Sequence, residues 1–137
     1  MKGLLRNAGV LLLVAAALVN SNVNADCVAH VRLRGSNEEQ CVDNKVFQQM
    51  SVVRDKYYSR ERQGLDPHQP IHLAVDAQDY LDLVNFLEID TPRERENHLR
   101  GLNRHRLERL RKTATALGAL TSDSDRLITN AMHHAKK

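Results

Sequence analysis

Two adjoining stretches of opposite charge constrain this chain most. From Asp76 to Asp90 it carries five carboxylates (Asp76, Asp79, Asp82, Glu88, Asp90) and no Lys or Arg. From Arg93 to Lys112 it carries eight Lys or Arg and three Glu. Apolar residues recur at helical spacing through both. Ala77, Tyr80, Leu81, Val84 and Leu87 mark the main face of a helix over 76–89, widened by Leu83 and Phe86. Leu99, Leu102, Leu107, Leu110, Ala114 and Leu117 mark a narrower stripe on a helix over 92–118. Thr91, Pro92 and Glu94 supply its start: a cap, a proline suited to the first turn, and the second half of a capping box. A connection of about two residues forces the two helices into an antiparallel hairpin. Rims of −5 and +5 then face each other, although each exposed pair stabilises by under about 1 kcal/mol.

The flanking sequence also reads as helix. Val46, Met50, Val53 and Tyr57 recur at four, three and four between Asp43 and Gln63, and Gly64 stops that helix. "GLDPHQP" contains Pro67 and Pro70 and keeps the next connection non-helical. "TSDSD" (Thr121 to Asp125) caps a fourth, short helix carrying Leu127, Ile128, Ala131 and Met132. His133, His134, Lys136 and Lys137 follow at its C-terminus, where positive charge suits the helix dipole. Val31–Leu33 and Ile71–Val75 alternate as short strands and could form a minor two-stranded patch. The expected class is mainly α: a small bundle of about four helices with an N-terminal loop closed by a disulfide.

The chain begins with an export signal. Lys2 and Arg6 precede the apolar run "VLLLVAAALV" (Val10 to Val19), and Val23 and Ala25 stand as small residues before a cleavage point. A charged start, a short apolar core and a small-residue exit define a secretory signal peptide over residues 1–25, and a run of about ten residues is too short to span a bilayer. Asp26 stands before Cys27 where a lipid-anchored protein needs a small residue. Cleavage leaves a single domain over residues 26–137, which is exported and is either periplasmic or secreted. Lys2 and Arg6 leave with the signal, so 18 basic residues face 17 acidic ones and the formal charge falls from +3 to +1. Cys27 and Cys41 are the only cysteines, and in an oxidising compartment an even count pairs them. A loop of this size stabilises by about 3 kcal/mol through loop entropy.

The candidate contact surface is the basic helix. At 100° per residue Arg93, Arg100, Arg104 and Arg111 fall within about 40° of one another. Such a stripe has three readings: half of the internal pair with helix 76–89, a rim for a protein partner with an acidic surface, or a grip on nucleic acid or anionic lipid. The last needs uncompensated charge and gains from aromatics. This helix has no aromatic residue and the mature chain is nearly neutral, which argues against nucleic acid and leaves a weak anionic-membrane alternative.

No catalytic residue, metal ligand or cofactor is expected. His68 and His72 are separated by Pro70, His98 and His105 share one face of the third helix, and His133–His134 lie near the end. Two His make a poor zinc site. Glu38 and Glu39 are adjacent and diverge, and no phosphate loop or G-x-S-x-G motif occurs. "VRLRG" followed by "NEEQ" resembles the R-x-L-R host-entry motif of oomycete effectors, but Val31 stands where that motif begins with arginine, so no function is carried over. The expected protein is not an enzyme. It is an exported helical protein that binds another protein, such as a periplasmic accessory of an envelope or secretion assembly, or a toxin-neutralising immunity protein. A secreted effector acting on a host or competitor is the alternative, and a small metal-binding protein or enzyme is the third.

Overall fold

The disulfide-closed loop is a β-hairpin. A computed structural model describes residues 27–135; the expected export signal over residues 1–25 lies outside the described residues. Strand β1 (Cys27–Arg32) runs antiparallel to β2 (Glu39–Asp43), with His30 opposite Cys41. The Cys27–Cys41 disulfide joins them, with 5.4 Å between the two Cα atoms. The turn is closed by Ser36 N–H donating to Leu33 C=O at 3.1 Å, and Gly35 takes φ 75° in it. That left-handed conformation favours glycine at this turn position. A third strand, β3 (Ile71–His72), lies parallel to β1 on its other edge, Val31 opposite Ile71. The expected patch thus forms between Val31–Leu33 and Ile71–Val75. The addition is β2, whose sequence "EQCVD" has one buried apolar residue and takes its place from the hairpin and the disulfide.

The described residues form six helices: α1 (Asn44–Gln49), α2 (Ser51–Arg62), α3 (Ala77–Glu88), α4 (Pro92–Arg100), α5 (Arg104–Ala116) and α6 (Ser122–His134). The fold is mainly α, and two of the four expected helices are each divided in two. The first divides at Met50, which takes φ −106° and ψ 86° and is fully buried. A contact from far along the chain makes this break. Val52 N–H donates to Leu117 C=O at 3.2 Å, and the Ser51 hydroxyl donates to Gly118 C=O at 3.2 Å. One free N–H donor at the start of α2, that of Val52, thus finds its acceptor at the end of α5. The second division falls at Gly101–Leu102–Asn103. Asn103 caps α5 by accepting from Arg106 N–H at 2.8 Å, so the capping chemistry at this point is local.

The buried apolar residues form one cluster that joins sheet and helices, from Ala29 and Val31 through Phe47, Met50, Leu83 and Phe86 to Leu107, Leu110 and Ile128. Helix α3 packs against α1 on one side and α5 on the other, while α6 covers α4 and α5. The buried face of α3 differs from the expected one. Tyr80, Leu83, Phe86 and Leu87 are buried, whereas Leu81 is 46% exposed. The helix is rotated so that Asp82, only 5% exposed, also faces inward, towards α5.

Gly118 fixes the junction between the end of α5 and the start of α2. It takes φ 69°, and a Cβ there would collide with the Ser51 hydroxyl and lie 3.3 Å from Val52 N. Gly118→Ala should destabilise the fold by about 2 kcal/mol or more, from the left-handed backbone and the collision together. Adding Ser51→Ala should recover only part, because the backbone conformation is unchanged. Urea denaturation of the two variants checks both statements, and a Gly118→Ala midpoint equal to wild type would refute them.

Candidate functional site

Opposite charges meet between α3 and α5, through arginines outside the expected stripe. Arg106 reaches Asp82 twice, Nη2 to Oδ1 at 2.7 Å and Nε to Oδ2 at 3.2 Å. Arg109 donates to both oxygens of Asp79, at 2.8 and 2.6 Å, and to Asp76 at 2.9 Å. The order of partners reverses along the two helices (Arg106 with Asp82, Arg109 with Asp79 and Asp76), so α3 and α5 run antiparallel, as the expected hairpin requires. Hydrogen bonding to Asp82 holds Arg106, and hydrogen bonding to Asp79 holds Arg109, more firmly in the charged form. These fork-to-fork contacts are the stronger, geometrically specific kind.

The four stripe arginines are spread over two helices. The break at 101–103 puts Arg93 and Arg100 on α4 and Arg104 and Arg111 on α5, so rotation at 100° per residue does not carry through from one pair to the other. Arg111 pairs with Asp125 at 3.0 Å and donates to the Thr129 hydroxyl. Arg104 pairs with Glu108 at 3.6 Å and reaches Met132 C=O at 3.4 Å, while Arg100 pairs with Glu96 at 3.7 Å. Arg93 is exposed, and no ion pair among the described residues reaches it. Much of the positive charge of 93–112 is thus compensated within the molecule. His98 and His105 likewise fall on α4 and α5, not on one continuous helix. Among the described residues no group of three or more His, Cys, Asp or Glu is placed to hold a metal ion.

Two other features stand out, and the sequence analysis named neither. The first is a cleft of about 300 Å³ between β2, α1 and α3. Val42, Val46 and Val84 give it apolar walls, and Asp43, Glu88 and Tyr80 also line it. Asp43 is the α1 cap, accepting from Val46 N–H at 2.9 Å. Burial first, then the neighbouring Asp43 charge, holds the Glu88 carboxyl above the usual range. Lys45 is engaged next door: its ammonium pairs with Asp90 and donates to Glu88 C=O at 2.7 Å. That contact holds the Asp90 carboxyl below its usual range. Tyr80 is 2% exposed and its hydroxyl has no hydrogen-bond partner. Burial, followed by the fields of Asp43 and Glu88, pushes this phenol up.

The second feature is the outer face of α2. Arg54, Tyr58 and Arg62 follow at spacings of four and share that face. Tyr58 is 39% exposed, and Leu65, just past the helix, is 56% exposed. The Tyr58 ring is held edge-on to Tyr57 and Phe47, with centroids 5.4 and 5.9 Å away. Helix α2 carries four cations (Arg54, Lys56, Arg60, Arg62) against two carboxylates (Asp55, Glu61), and none of the six enters an ion pair among the described residues. The "RERQGL" ending the helix carries this charge in plain sight, but net charge alone does not show which cations lack partners.

The chain matches no protein-family model, and no curated protein and no solved structure matches it significantly.

Arg106→Ala should destabilise the fold by about 2 kcal/mol, because it strips the buried Asp82 of its charged partner, the figure being discounted for the half-exposed arginine. Arg100→Ala, whose pair with Glu96 is exposed on both sides, should leave the urea midpoint unchanged. Equal effects of the two substitutions would overturn this account of the charge pairing. Glu88 yields a pH prediction. A carboxyl whose folded pKa lies above its unfolded one adds stability below the unfolded pKa, and that stability is lost as pH rises through the folded pKa. Glu88→Gln should therefore remove a component of stability loss that wild type shows from about pH 4 upward, read as the difference between the two stability–pH curves.

Proposed function

We propose that the protein is exported, folds around the Cys27–Cys41 disulfide, and works by binding an acidic surface of another protein. The observation that carries this reading is the outer face of α2. Its row of Arg54, Tyr58 and Arg62 joins cations that no internal carboxylate pairs with to an exposed aromatic ring held in place by its neighbours. Arginine and tyrosine are enriched where proteins grip one another, and the tyrosine ring offers a large contact at small entropic cost. The disulfide agrees with an oxidising compartment. Among the described residues no helix is long and apolar enough to cross a membrane. In a bacterium the concrete forms are a periplasmic accessory of an envelope or secretion assembly, or an immunity protein that blocks a toxin.

The α2 face takes over the role first assigned to Arg93, Arg100, Arg104 and Arg111, because three of those four hold carboxylates of the same chain. Capture from the protein's own compartment, with wild type, Tyr58→Ala/Arg62→Glu and Arg100→Glu/Arg104→Glu in parallel, tests the reading. The expected result is one partner held by wild type and by the Arg100/Arg104 variant, and lost by the Tyr58/Arg62 variant at unchanged thermal midpoint. A partner lost only with Arg100→Glu/Arg104→Glu would move the interface to α4 and α5. Protein found in the cytoplasm with free thiols would remove the export reading.

A further inference from the structure

We propose that the cleft between β2, α1 and α3 is a binding site for a primary ammonium group on an aliphatic stem, with Asp43 and Glu88 taking the charge and Tyr80 the remaining hydrogen bond. Three observations carry it, and none depends on the α2 face. The first is the chemistry of the wall. Two carboxyl groups, those of Asp43 and Glu88, line the same cleft, and the nearby Lys45 is committed to Asp90 and to a main-chain carbonyl. Among the described residues no ion pair reaches Glu88. Two carboxyls facing one cleft favour an outside cation between them.

The second is Tyr80. A phenol 2% exposed ordinarily finds a partner for its hydroxyl, and this one has none. Asp43 and Glu88 line the same cleft as this phenol. An ammonium has three donors, one for each carboxylate and one for the phenol oxygen. The third is the apolar remainder. Val42, Val46 and Val84 complete the cleft, and valine walls suit a methylene stem, whereas a hydrated metal ion would gain nothing from them. At about 300 Å³ the cleft lies at the small end of ligand sites, which fits a short alkyl amine or one lysine side chain.

The test is an amide NMR titration of the oxidised protein with n-pentylamine, with a blocked glycine–lysine–glycine tripeptide, with n-pentanol and with calcium chloride. The amine should shift the amides of Val42, Asp43, Tyr80 and Glu88, and pentanol should not. Glu88→Gln and Asp43→Asn should each weaken amine binding about tenfold, as loss of one charge-assisted hydrogen bond does. Asp43→Asn keeps a side chain that caps α1 equally well, so that loss would not reflect an unravelled helix. Tyr80→Phe should weaken the amine severalfold while the thermal midpoint of the free protein stays level or rises, since it removes a hydroxyl that has no partner. A merely structural Tyr80 would lower the midpoint and leave binding alone. Shifts from both amine and tripeptide would identify a lysine side chain as a ligand, and shifts from the amine alone a free small amine. Equal shifts with pentanol, shifts with calcium but not with the amine, or no shift at millimolar probe would each overturn the proposal.

Discussion

Helix α3 is buried between α1 and α5 yet brings no cation of its own, so its neighbours have to supply them. Two needs coincide. Its carboxylates require partners wherever packing removes water, and its C-terminal carbonyls carry the negative end of the helix dipole with no basic residue in the last turn. Arg106 and Arg109 meet the first need from α5. Lys45 and Gln49 from α1 meet the second through Glu88 C=O and Leu87 C=O, and Arg95 from α4 reaches Ile89 C=O at 2.8 Å. The Arg95 guanidinium also lies 5.0 Å over the Phe86 ring, so one side chain serves charge and packing together. The positions of α1, α4 and α5 around α3 are thus tied to one electrostatic demand as well as to the apolar core.

These contacts act more on specificity than on stability. Most of the pairs are part exposed, and exposed pairs stabilise weakly. The apolar cluster would accept several rotations of α3, and Leu81 shows that a purely hydrophobic reading picks a different one. Asp82 selects the rotation: with its side chain facing inward, only a register that places Arg106 beside it avoids a stranded charge.

Helix existence was readable in the sequence, and so was the opposed charge of the two segments. The misses have separate physical causes. Gly101 and Asn103 carry a stop and a fresh cap, a local signal that a leucine stripe running through 99–117 conceals. The break at Met50 has no such signal, because its cause is Leu117 C=O and Gly118 C=O arriving from the far end of α5. Strand β2 lacks alternation and is made by pairing. The choice of Arg106 and Arg109 over Arg104 and Arg111 as partners for α3 follows from that helix break, since Asn103 restarts the rotation on which a stripe calculation depends. The cleft was hidden for a similar reason. Tyr80 and Glu88 stand at helical spacing on α3, but Asp43 comes from the end of a strand, and no spacing rule joins it to them.

The same demand of α3 accounts for where binding surfaces remain. Arg106, Arg109 and Arg111 are paired with carboxylates of α3 and α6, which reduces the free positive charge of the arginine-rich segment. Helix α2 packs against α1 and β3 and lies outside that pairing, so among the described residues its four cations enter no ion pair, although Arg54 and Arg60 donate to main-chain carbonyls. Glu88 is the reverse case. It belongs to α3 but stands where Lys45 has already been taken by Asp90, and its neighbour across the cleft is another carboxyl. A fold that satisfies the other acids of α3 and leaves this one facing Asp43 and an unpartnered phenol has a local excess of acceptors at a single place. Neutral packing could have filled that place with a fourth valine. The retained polar groups lower the stability of the free protein, and a cation entering the cleft would recover that loss as binding energy.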